Sequence, residues 1–125
     1  MDRLFILLGS VSGFLAVAAG TFAAHGLKSR LAPEMLAVFE TGARYQMYHA
    51  LALFAAAWCA AQLGGRLPGA AGWFFVGGTV LFSGSLYLLA VTGTRWLGAI
   101  TPLGGVMFLA GWLCLAAAAA VAGRR

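Results

Sequence analysis

Apolar residues fall in four long runs, roughly 4–24, 45–63, 69–91 and 100–121, separated by short polar breaks. Each run is long enough to cross a bilayer core of about 30 Å, which takes roughly 20 residues of α-helix. The pattern predicts an all-α integral membrane protein in which four transmembrane helices make one domain over residues 1–125. Charge placement agrees. Arg3, Lys28, Arg30, Arg44, Arg66, Arg95, Arg124 and Arg125 all fall at the ends of runs or between them, as expected where a charge at the bilayer centre costs several kcal/mol. The first run follows Asp2 and Arg3 and is nearer 20 residues than the 7–15 of a signal-peptide core, so a retained first span is expected.

The break between the first two runs has a pattern of its own. His25-Gly26-Leu27-Lys28-Ser29-Arg30 reads as a polar turn, with Gly26 suited to end a helix. Pro33 fits the first turn of a new helix. From there Met35, Val38, Phe39 and Gly42 recur at helical spacing while Glu34, Ala37, Thr41 and Arg44 share another face. That predicts a short amphipathic helix over about 33–43, lying in the interface plane between spans one and two. Tyr45, Tyr48 and His49 then mark the start of the second span at headgroup depth.

Within the runs, small residues are spaced for close helix approach. Gly9 and Gly13 form a GxxxG, and Ala16, Gly20 and Ala24 continue the same spacing. Such rows let backbones approach in lipid, where tails compete equally for apolar side chains. They suit packing within the chain or between copies, and a homo-oligomer is expected. The third run carries Ser83-Gly84-Ser85 with Tyr87 one turn on; Gly84 is expected as a helix-packing position, and the hydroxyls can bond to carbonyls or to a neighbouring helix. Thr101-Pro102-Leu103-Gly104-Gly105 opens the last run as a helix start and packing notch; the alternative is an interrupted helix lining a site, as in some transporters.

Composition narrows the class. Hydrophobic residues make up 62% of the chain and charged residues 9%, against about 25% in a soluble domain. The net charge of +5 is scattered over every break, with no basic stripe and no interleaved aromatics, so it suits anionic headgroups and no nucleic acid. Cys59 and Cys114 lie in separate apolar runs without a CxxC, and read as small buried hydrophobes. Basic residues divide equally between the two sides of a four-span topology, so the positive-inside rule gives no orientation.

Side chains able to do chemistry concentrate in one segment. His25, Lys28, Arg30, Glu40, Arg44, Tyr45, Gln46, Tyr48 and His49 are the candidate binding residues. If the first two spans are antiparallel neighbours, His25 and His49 come to the same membrane face. Two His with Met35 or Met47 offer donors for a soft or borderline metal, but no HxxxH or carboxylate–His pair accompanies them. His49 as a base beside an anion-holding Arg44 is a catalytic reading, without a nucleophile motif to support it. The third reading is a structural network anchoring the ends of two spans. No catalytic residue, metal site or cofactor is expected.

Ala24-His25-Gly26-Leu27, Phe39-Glu40-Thr41-Gly42, Tyr45-Gln46-Met47-Tyr48-His49-Ala50-Leu51, Phe82-Ser83-Gly84-Ser85-Leu86-Tyr87 and Ile100-Thr101-Pro102-Leu103-Gly104-Gly105 together resemble the membrane-protein family known as domain of unknown function 423. The likeness runs in order along nearly the whole chain. It implies a small four-span protein of the bacterial inner membrane, with mitochondrial relatives of the transmembrane-protein-256 type. It brings no substrate, cofactor or catalytic assignment. The expected function is a non-enzymatic one, binding membrane lipids or a membrane-protein partner through residues 25–49. The alternative is a small homo-oligomeric transporter or channel, against which the absence of charged residues inside the spans counts.

Overall fold

The structure, a computed structural model, describes residues 2–124; Arg125, counted above among the terminal charges, lies outside them. Helix α1 covers Asp2–Phe22 and runs on through a wider π turn, Ala23–Leu27. A short link, in which the amides of Arg30 and Leu31 both bond to Leu27 O at 2.9 Å, leads to α2, Pro33–Leu63. Gly64 and Gly65, at φ 70° and 76°, turn the chain where a side chain would be strained. Helix α3, Leu67–Gly78, a π turn Thr79–Ser83 and α4, Gly84–Thr92, form one rod. Gly93 closes it in a left-handed cap, its amide on Leu89 O at 2.8 Å. A 3₁₀ turn, Arg95–Ala99, precedes α5, Thr101–Ala122. Among the described residues there is no strand.

Three of these four rods, Asp2–Leu27, Leu67–Thr92 and Arg95–Ala122, are long and apolar enough to cross a membrane. The α2 rod is long enough but less apolar. It is also where the architecture departs from the expected one. Residues 33–43 do not form a separate interfacial helix: they are the first turns of the 31-residue α2. Nothing between Gly42 and Tyr45 breaks the hydrogen-bond ladder, and Gly42 is held against the next rod rather than ending a helix. At 1.5 Å per residue α2 is about 46 Å long, well beyond the roughly 30 Å of a bilayer core.

The rods pack α1 on α2, α2 on α3 and α4, and α3 on α5. Two apolar clusters result. One joins Phe5, Leu53, Ala56, Ala71, Phe75 and Phe108; the other joins Ala23, Leu27, Phe39 and Ala90. Between them, all four rods contribute polar side chains to one layer. Close approach is bought with missing side chains: a Cβ on Gly9 would meet Ala50 O at 2.9 Å, and one on Gly104 would strike the backbone of Phe82. Gly13 lies in ordinary contact with Ala50, and Gly105 with Phe82. Gly20 and Gly84, expected as packing positions, have nothing within 4 Å of a built Cβ, because they lie off the faces that meet. Gly42, Gly72, Gly78 and Gly111 are close-approach positions that the small-residue rows did not reveal.

Candidate functional site

Helical phase decides where the candidate segment goes. On α2, Gly42, Gln46, His49 and Leu53 follow each other at intervals of three and four and turn inward, whereas Glu40, Arg44, Tyr48 and Leu51 share the outer face. His25, Lys28 and Arg30 are exposed around the end of α1. One sequence cluster is thereby divided into an exposed cationic end and a buried polar layer.

In the buried layer Gln46 is the hub. Its Nε2 donates to Ser12 O at 3.1 Å and to Ser12 Oγ at 3.3 Å on α1, while its Oε1 accepts from the Tyr87 hydroxyl on α4 at 2.6 Å. Ser83 Oγ donates to Gly42 O at 2.7 Å, tying the π turn to α2. Ser85 and Thr101 share a hydroxyl pair at 2.6 Å, tying α4 to the start of α5, and Ser85 Oγ also donates to Phe82 O at 2.9 Å. Pro102 sits in the first turn of α5, as expected, and is exposed. The Phe82–Tyr87 and Thr101–Gly105 motifs thus serve each other through the Ser85–Thr101 pair and the fit of Gly104 on Phe82.

His49 lies below Gln46 and is 4% exposed. Its ring stacks on Phe108 with centroids 3.5 Å apart and 6° between planes, with Phe75 and Trp112 around it. Trp112 Nε1 donates to His49 Nε2 at 3.1 Å. An indole N–H only donates, so Nε2 carries the lone pair and Nδ1 carries the hydrogen. Nδ1 lies 2.7 Å from Tyr45 O, one turn back, and donates to it. The contacts define a neutral imidazole of one tautomer with both nitrogens engaged, which leaves no ring nitrogen for a metal or a substrate proton.

His25 and His49, which antiparallel neighbouring spans would bring to one membrane face, stand well apart in depth. At 1.5 Å per residue His49 stands about 24 Å along α2 from Pro33 and about 21 Å from Leu63, in the middle of the helix. His25 is exposed beside the link. Tyr45 is partly exposed, edge-on to Tyr48 at 5.4 Å and against Phe82 at 4.9 Å, so it borders both regions. Sequence reasoning missed Ser12, Phe108 and Trp112 as partners. Ser12 had a visible signal, a hydroxyl inside an apolar run; Trp112 and Phe108 had none, since aromatic residues are ordinary in a span. Cys59 and Cys114 are free and half-buried.

Comparison with known proteins places this chain in context. The family model described as "Protein of unknown function (DUF423)" matches residues 19–105, from the second half of α1 to the start of α5. A UPF0382 membrane protein of Bacillus subtilis (strain 168) is 49% identical over 118 residues, covering 94% of this chain and 96% of that one. UPF0382 membrane proteins of Staphylococcus saprophyticus and Staphylococcus haemolyticus are each 45% identical, covering 90% of this chain and 93% and 92% of theirs. No solved structure matches.

Proposed function

The chain belongs to the DUF423 family of proteins of unknown function, and on that footing we propose a non-enzymatic, multi-pass protein of the bacterial inner membrane whose cationic end binds anionic lipid headgroups. All four rods cross the bilayer in this reading, α2 among them, and the protein works as a homo-oligomer. Depth along α2 carries the proposal. Counting back from Leu63, Arg44 is reached after about 28 Å, close to the thickness of a bilayer core. The turns from Pro33 to Arg44 then stand in the headgroup region together with Lys28 and Arg30, all three basic side chains being exposed. Burial of Gln46 and His49 supports the same division, since both are spent on neighbouring helices.

Supporting lipid over a transport pathway, the hydroxyls of Ser83, Ser85 and Thr101 are engaged with each other or with carbonyls. A basic residue near an anionic surface contributes about 1 kcal/mol, so changing Lys28, Arg30 and Arg44 together to Gln should lower the preference for anionic over zwitterionic lipid by roughly 100-fold. Native mass spectrometry of purified protein exchanged into mixed phosphatidylglycerol and phosphatidylcholine reads this ratio. An unchanged ratio overturns the lipid reading, and loss of a co-purifying membrane protein in its place would point to a protein partner.

A further inference from the structure

Between α1 and the α3 rod lies a lipid-facing cleft of about 300 Å³ that the headgroup reading does not use. Its rim is Val11, Leu15 and Val80, all exposed, and its lining includes Ser12, Gln46 and Thr79. No charged side chain lines it. Thr79 lies about 18 Å along the rod from Leu67 and about 20 Å from Thr92, which is mid-depth for a crossing helix. Ester and headgroup groups of bilayer lipids lie outside the core, about 15 Å from the midplane. Thr79 therefore stands at the depth of acyl chains, an unfavourable setting for a hydroxyl unless something polar meets it.

The lining has an excess of one kind of group. Gln46 is satisfied at both ends of its amide. Ser12 Oγ accepts from Gln46 and, among the described residues, donates to none. Thr79 Oγ1 is buried without a hydrogen-bond partner. No bond holds its χ1 rotamer, and a step of about 120° about χ1 moves the hydroxyl to another of the three positions on Cβ, the movement by which it would meet a ligand in the cleft. Thr79 also opens the π turn, a widening of the helix that recurs at functional sites. An unpartnered O–H at mid-depth, apolar walls, no charge and a volume at the lower end of small-molecule sites define the complement.

We propose that this cleft binds a neutral, ring-sized carbonyl compound dissolved in the bilayer, of ketone or quinone type, with its oxygen on the hydroxyl of Thr79. The site is independent of Lys28, Arg30 and Arg44, so it stands or falls apart from headgroup binding. The test uses the full chain in nanodiscs, with 9-fluorenone and fluorene as probes, two molecules of one shape that differ in the carbonyl. After correction for partition into empty nanodiscs, the wild type is expected to hold fluorenone about five-fold tighter, the worth of one hydrogen bond. Thr79→Val should abolish that preference without lowering the unfolding midpoint, because Thr79 Oγ1 holds nothing in place. Val11→Trp, at an exposed rim position, should exclude both probes. Equal retention of both probes by the wild type, as for a groove filled by acyl chains alone, overturns the proposal. So does a Thr79→Val protein that still prefers the ketone.

Discussion

The outer face of α2 at Glu40, Arg44 and Tyr48 and its inner face at Gln46 and His49 come from one stretch of sequence and share almost nothing physically. On the outside, long charged side chains are exposed and their packing is slight. On the inside, every polar atom of Gln46 and both ring nitrogens of His49 have partners on α1, α2, α4 or α5. The boundary between the two faces is a rotation about the helix axis, added to the difference in depth along it. In lipid this matters more than in water, because no solvent inside the bilayer satisfies a polar group that turns the wrong way. The buried layer therefore works as a register device: shift α2 by one residue and its bonds to α1, α4 and α5 are lost at once.

The strongest way to break the inner region is to force its helices apart. A Cβ on Gly104 lands on the backbone of Phe82, which cannot swing aside as a side chain would. Gly104→Ala is expected to cost about 3 kcal/mol and to separate Ser85 from Thr101. Detergent denaturation of the purified protein reads the cost, and a wild-type midpoint would show that the rods approach less closely than described.

Next comes the contrast within α2 itself. His49→Ala removes a stacked ring and both of its hydrogen bonds, leaving the Trp112 N–H without its acceptor. A loss of about 2 kcal/mol follows from the cavity and the interhelical bond together. Arg44→Ala, five residues earlier on the exposed face, should change stability by less than about 0.5 kcal/mol. The two variants measured in one denaturation series sharpen the comparison; equal losses would overturn the division of α2 into a packed face and an exposed one.

How much of this was legible in the sequence follows from what kind of signal each feature leaves. Hydrophobic runs are long-range averages, so the rods were legible, and apart from the start of α2 their observed bounds differ from the expected ones by a few residues. The continuity of α2 was not, because Pro33, the amphipathic turns and Tyr45 each have good local reasons to mark a separate helix, and only tertiary packing of Gly42 joins them. The division of the 25–49 segment was partly legible: a 3.6-residue period puts Gln46 with His49 and Arg44 with Tyr48, but it does not say which face is inside. Partners were mostly illegible. Trp112 meets His49 across 63 positions, and nothing in a span made of apolar residues marks the one indole that donates a hydrogen bond.

The smallest expected effect has the opposite sign and comes from the same substitution used for the largest. Gly84 lies in the same rod as Phe82, two residues on, yet nothing stands within 4 Å of a Cβ built there. Its glycine then contributes only the entropic penalty of a flexible residue inside a helix, about 0.5 kcal/mol or slightly more. Gly84→Ala should raise stability by about that amount while Gly104→Ala lowers it several-fold more. If both substitutions destabilise, Gly84 faces another copy of the chain, and the row of small residues serves an interface between subunits. If Gly84→Ala stabilises, close packing in this protein is set by which glycine opposes a backbone, and the small-residue spacing in the sequence is by itself no guide to it.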